Sequence, residues 1–138
     1  ERIDHSDILR MSSLTRSLLS NIDYTFVRER RQKNFQYTHN LFRERNLIDP
    51  SKYIDRESVP MVYPLVIQDP ELTDKLKKSQ IYTGRWWNHV LSELSDNTFE
   101  SWLSRYMIPI PIDQRYDEQI IKHVYDVLVN LDNYTRNR

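Results

Sequence analysis

Tyr82, Arg85, Trp86 and Trp87 fall within one six-residue window, and no other stretch gathers so many groups suited to holding an organic ligand. An arginine presents a planar fork that can pair with a substrate carboxylate through two parallel hydrogen bonds. The indoles and the phenol supply large apolar surfaces, each with one polar edge. Ile81–Trp87 reads as a strand, on which neighbouring side chains point to opposite faces, so one indole belongs to the core and the other is exposed or in a site. Gly84, the single glycine of the chain, marks a bulge or a close approach of backbone within that segment. Arg115 is a further candidate for substrate contact, although Asp113 beside it offers a local ion pair at the entry to a helix.

Other constellations support less chemistry. His89 and Glu93 stand one helical turn apart, a spacing that can bind metal or pair acid with base, but no third ligand is near and a surface pair is the simpler reading. His5, His39 and His123 are isolated, and no Gly-x-Ser-x-Gly elbow accompanies them. There are no cysteines, which excludes disulfides and thiolate metal sites. A lone glycine excludes the glycine-rich loops that cradle phosphates. Lys plus Arg and Asp plus Glu each total 20, so net charge gives no pull toward a polyanion or an acidic membrane. One alternative function survives as a competitor: a basic helix over 28–45, with Arg28–Lys33, Arg43 and Arg45 interleaved by Tyr24, Phe35 and Tyr37, laid on nucleic acid. The neutral total argues instead for a solvated face and no nucleic acid. A non-catalytic interaction domain, dimerising through Trp86, Trp87 and the proline-marked strands, is the third reading.

The elements that would position these residues follow from punctuation and periodicity. In Met107–Tyr116, three isoleucines alternate with Pro109 and Pro111, so one strand edge lacks two N–H donors while Ile108, Ile110 and Ile112 share a face. Val59–Ile67, with Pro60 and Pro64, is a second strand of the same kind. Asp69-Pro70-Glu71-Leu72 starts a helix that ends near Gln80. Thr98 caps a short helix to Tyr106 with Phe99, Trp102 and Leu103 inward, and Asp117 caps a terminal helix carrying Ile120, Ile121, Val124, Val127, Leu128 and Leu131. Upstream, Ser13–Ile22 is amphipathic, Asp23 caps a long helix to about Arg45 with a polar middle, and Asn46–Ser58 is a surface linker. The prolines favour an α+β fold with a small, largely antiparallel sheet of three to four strands over a parallel one. The division expected is a helical section over 1–50 and an α+β domain over 51–138. Glu1 in place of a methionine, and no clear start signal over Glu1–Ser12, suggest a piece of a longer protein. No run of about 18 apolar residues occurs, so no membrane span is expected.

Four segments in this order, Glu29–Asn34, Met61–Ile67, Ile81–Trp87 and Ile110–Tyr116, resemble the C-terminal small domain of fold-type I pyridoxal phosphate aminotransferases of the DegT/DnrJ/EryC1/StrS class. The resemblance spans about Ser13 to Leu131. It implies a cytoplasmic, homodimeric parent whose N-terminal large domain supplies the Schiff-base lysine and holds pyridoxal phosphate, with this part closing over an amino donor or a keto or sugar substrate. On that view the long helix joins the two domains, and Tyr82, Arg85, Trp86, Trp87 and Arg115 are the substrate-binding candidates. The piece alone is then expected to bind no cofactor and to be inert. Trp86-Trp87-Asn88-His89 stands where sugar-nucleotide enzymes of the class carry a histidine shortly after the strand, a departure that weakens a sugar-nucleotide assignment.

Overall fold

The computed structural model describes residues 10–136. Ser12 opens helix α1, Ser13–Ser20, by accepting a hydrogen bond from the Thr15 amide. Asp23 does the same for Phe26 and starts α2, Tyr24–Phe42, the capping role its position predicted. A 3-10 turn at Pro50–Tyr53 interrupts the expected linker and leads to strand β1, Val62–Val66. Helix α3 spans Leu72–Lys78, a single-turn α4 covers Val90–Glu93, and α5, Phe99–Tyr106, is capped by the Thr98 hydroxyl. Strand β2, Met107–Pro111, follows α5 without a loop, and α6, Glu118–Arg136, is the last element among the described residues, its start capped by the Asp117 carboxylate, which accepts from the Ile120 amide.

The sheet among the described residues has two antiparallel strands, not three or four, with Pro64 opposite Pro109 and Tyr63 opposite Ile110. The register explains where the prolines stand. Ile67 donates to the Tyr106 carbonyl, so odd positions of β1 face β2, while Val66 donates outward to Asn46 Oδ1 and accepts from the Leu47 amide. Pro64 therefore sits at a position whose N–H would point away from the ladder, and so do Pro109 and Pro111 opposite. None of the three removes a ladder bond. Ile81–Trp87, expected to be a strand, has no edge to join: Asn46 and Leu47 occupy that of β1, and proline has silenced that of β2. Its first amide, Ile81, is also committed to the Leu76 carbonyl, closing α3 with Gln80 in the left-handed region at φ 63°.

One sheet face carries Tyr63, Leu65, Ile108, Ile110 and Ile112 into a core with Phe35 and Phe42 of α2, Leu72 and Leu76 of α3, and Val124 and Leu128 of α6. Each such side chain contributes about 1.5–3 kcal/mol on burial. Tyr63 packs 5.4 Å from Phe35 and 6.2 Å from Phe42, ring centre to ring centre. The C-terminal half of α2 is thus part of the core made by residues beyond 51. Asn34 ties it to the β2–α6 turn, donating to the carbonyls of Ile112, Asp113 and Tyr116 at 3.2, 3.1 and 3.0 Å.

Two expected inward residues lie outside. Phe99 is 63% exposed, because α5 approaches the body through the buried Ser101 and Ser104, whose small side chains let the helix lie close before it runs into β2. Ile120 is exposed as well, since Ile121, Val124 and Leu128 set the buried stripe of α6 one residue further round. Gly84 has an ordinary backbone conformation, and an added Cβ would meet nothing within 4 Å, so neither a bulge nor a tight packing contact explains it.

Candidate functional site: an apolar hollow on the outer sheet face

The second face of the sheet, carrying Val62, Pro64 and Met107, floors an open hollow of about 400 Å³. Its walls are Trp86 and Trp87, Leu103 from α5, and Ile48, Tyr53 and Ile54 from the loop after α2. The volume lies within the roughly 300–1,000 Å³ of small-molecule sites. Every lining side chain is aliphatic, aromatic or proline, with the Tyr53 phenol its one titratable group. The hollow can desolvate and stack on an apolar or planar group. It contains no acid, base or nucleophile for moving a proton near neutral pH.

Both tryptophans line it, contrary to the expected opposite facing. Trp87 adopts φ 55°, a conformation that bulky residues rarely take, and this breaks strand-like alternation so that the indoles meet edge to face with centres 5.6 Å apart. Arg85 turns the other way: its Nη2 donates to the Pro70 carbonyl at 3.1 Å, and the side chain lines a separate polar hollow. Tyr82 is 79% exposed. Arg115 lines neither hollow. Its Nε and Nη2 fork onto the Asp113 carboxylate at 2.9 and 2.7 Å, and these hydrogen bonds hold that carboxyl below its ordinary value. The window thus splits into an apolar pair and a polar arm, with Arg115 engaged elsewhere.

Among the described residues no group of three or more His, Cys, Asp or Glu could hold a metal. His89 and Glu93 are both exposed and make no ion pair with each other. His39 forms a buried-to-surface chain that isolation in sequence concealed. Asn46 Nδ2 donates to the Tyr63 hydroxyl at 3.1 Å, His39 Nδ1 lies 3.3 Å from the same hydroxyl, and His39 Nε2 lies 4.0 Å from Asp49. Burial pushes the Tyr63 phenol up, and the Ser51 hydroxyl holds the Asp49 carboxyl down. The signal was faint, because Asn46 and Asp49 lie in the apparent linker.

Most of the cations named for the basic helix are engaged within the chain. Arg28 pairs with Glu57 at 2.8 Å, Lys33 with Glu118 at 2.9 Å and Arg43 with Glu44 at 3.2 Å, while Arg31 donates to Gln114 and the Pro60 carbonyl. Phe35, named there for stacking, is buried. Among the described residues no helix is long and apolar enough to cross a membrane.

Compared with family models, curated proteins and solved structures, the chain has no match in any of the three. The residues present do not fit pyridoxal phosphate. Lys33, Lys52, Lys77 and Lys122 are in surface ion pairs, Lys75 is in a part-buried one with Asp69, Lys78 is exposed, and none of the six lines the apolar hollow.

Proposed function

We propose that this chain is the substrate-closing part of a pyridoxal phosphate aminotransferase-like protein, the cofactor and its lysine being supplied by a preceding large domain. The observation that carries the reading is the apolar hollow on the outer sheet face, a surface built to cover something and lacking catalytic groups. The order of the four resembling segments agrees with it: a long helix, β1, the Trp86–Trp87 corner and the β2–α6 turn are brought around one small antiparallel sheet. Trp86 and Trp87 are then the substrate-facing pair, and Arg85, anchored on Pro70, stands outside the apolar wall. Amino-group transfer would be performed by the parent, with this part excluding water and orienting the substrate side chain.

The test uses the full-length protein, incubated with pyridoxal phosphate, an amino acid and a 2-oxo acid. Cofactor trapped on a lysine by borohydride, together with amino transfer that Trp86→Ala weakens through KM more than kcat, supports the reading. A full-length protein that neither traps cofactor nor transfers an amino group overturns it.

A further inference from the structure

A second hollow, of about 410 Å³, lies on the α3 side of the Thr83–Asn88 segment and differs in kind from the apolar one. Thr73, Asp74, Lys77, Thr83, Arg85 and Asn88 line it, with Gly84 between the hydroxyl and the guanidinium. Thr83 is 7% exposed, yet its Oγ1 has no hydrogen-bond partner. That atom has less than 1 Å² of accessible surface, so it lies behind the lining and takes no part in what the open hollow can hold. Arg85 is steadied by one bond from Nη2 to the Pro70 carbonyl, and its remaining donors are uncommitted. Lys77 reaches Asp74 only at 3.5 Å, with both side chains more than half exposed, a pairing worth little. Two cations face one carboxylate, and at Gly84 no side chain blocks approach to the backbone.

We infer that this hollow binds an oxyanion, the carboxylate or phosphate group of a small molecule, held by the Arg85 guanidinium and Lys77. Arg85 meets either group with parallel hydrogen bonds, and Lys77 adds a point charge. The site is made of this chain alone and does not depend on the aminotransferase reading.

The chain is titrated with sodium phosphate and, separately, sodium acetate, against sodium chloride at equal ionic strength, following the backbone amide resonances of Thr83 and Gly84. A saturable shift with either anion and not with chloride is expected. The stronger of the two assigns a phosphate-bearing or a carboxylate-bearing ligand. Arg85→Gln should weaken binding about tenfold or more, the loss of a charge-assisted hydrogen bond. Absence of a shift beyond chloride, or a shift that survives Arg85→Gln, overturns the assignment.

Discussion

Replacing Asn46 by alanine should be among the most damaging changes outside the apolar core, although Asn46 stands in the loop after α2. Its side chain acts as a substitute for a third strand. Oδ1 accepts from the Val66 amide at 2.9 Å and the Ile48 amide at 3.3 Å, while Nδ2 donates to the Pro64 carbonyl at 2.9 Å and the Tyr63 hydroxyl at 3.1 Å. Val66 is fully buried, so its amide has no water to turn to. An unsatisfied buried donor costs about 1–3 kcal/mol, and the weakened Pro64 carbonyl and Tyr63 hydroxyl raise the expected loss to about 3 kcal/mol. That is a large share of the roughly 5–15 kcal/mol that holds a domain folded. Urea unfolding followed by tryptophan fluorescence gives the loss, and hydrogen exchange at the Val66 amide locates it. Asn46→Asp keeps the acceptor for Val66 but loses both donations, so it should preserve Val66 protection while still lowering the midpoint. An Asn46→Ala protein that loses less than about 1 kcal/mol and still protects Val66 would refute the view that this side chain closes the sheet edge.

Gln80→Gly should stabilise by about 0.5–1 kcal/mol, because a side chain at φ 63° after α3 costs more than glycine there; a lower urea midpoint would contradict this. Asp113 titrates below its ordinary value of 3.8 when folded, chiefly because of Arg115, so its contribution is present above the unfolded pKa and is lost as pH falls through the lower folded one. Asp113→Asn should therefore lower the urea midpoint at neutral pH and flatten its decline below about pH 4, and an unchanged acid limb would count against the ion pair. Trp87→Ala should cost only about 1 kcal/mol, since the indole is 47% exposed and alanine tolerates the backbone no worse. Phe42→Ala should cost about 3–5 kcal/mol by the same measurement, and a loss of that size at Trp87 would make it a core residue.

What could be read from residue types was whatever depends on one local rule. Proline spacing marked both strands and their outer edges, and Asp23, Thr98 and Asp117 cap the helices they were expected to cap. Long-range competition decided the rest. Ile81–Trp87 has the composition of a strand, but strand pairing requires a free edge, and a polar asparagine in an apparent linker had taken it. Alternation of Trp86 and Trp87 failed because one residue enters the left-handed region, which no periodicity reveals. The His39–Tyr63–Asn46 chain was invisible for a related reason, as a hydrogen-bond network is set by the approach of α2 to β1 and not by spacing along either.

Closure of both sheet edges also limits how anything can associate with this fold. A partner strand adding to a sheet needs a row of outward N–H and C=O groups. On β1 the Asn46 side chain and the Leu47 amide consume those of Pro64 and Val66; on β2 the amides are missing at Pro109 and Pro111. The inner face is already filled by α2, α3 and α6. What remains on the sheet is the outer face, and its hollow offers only apolar and aromatic surface. Recognition there must rest on shape and desolvation, whereas charge selection must come from the neighbouring Thr83–Arg85 hollow, which opens off the same short segment as the two tryptophans.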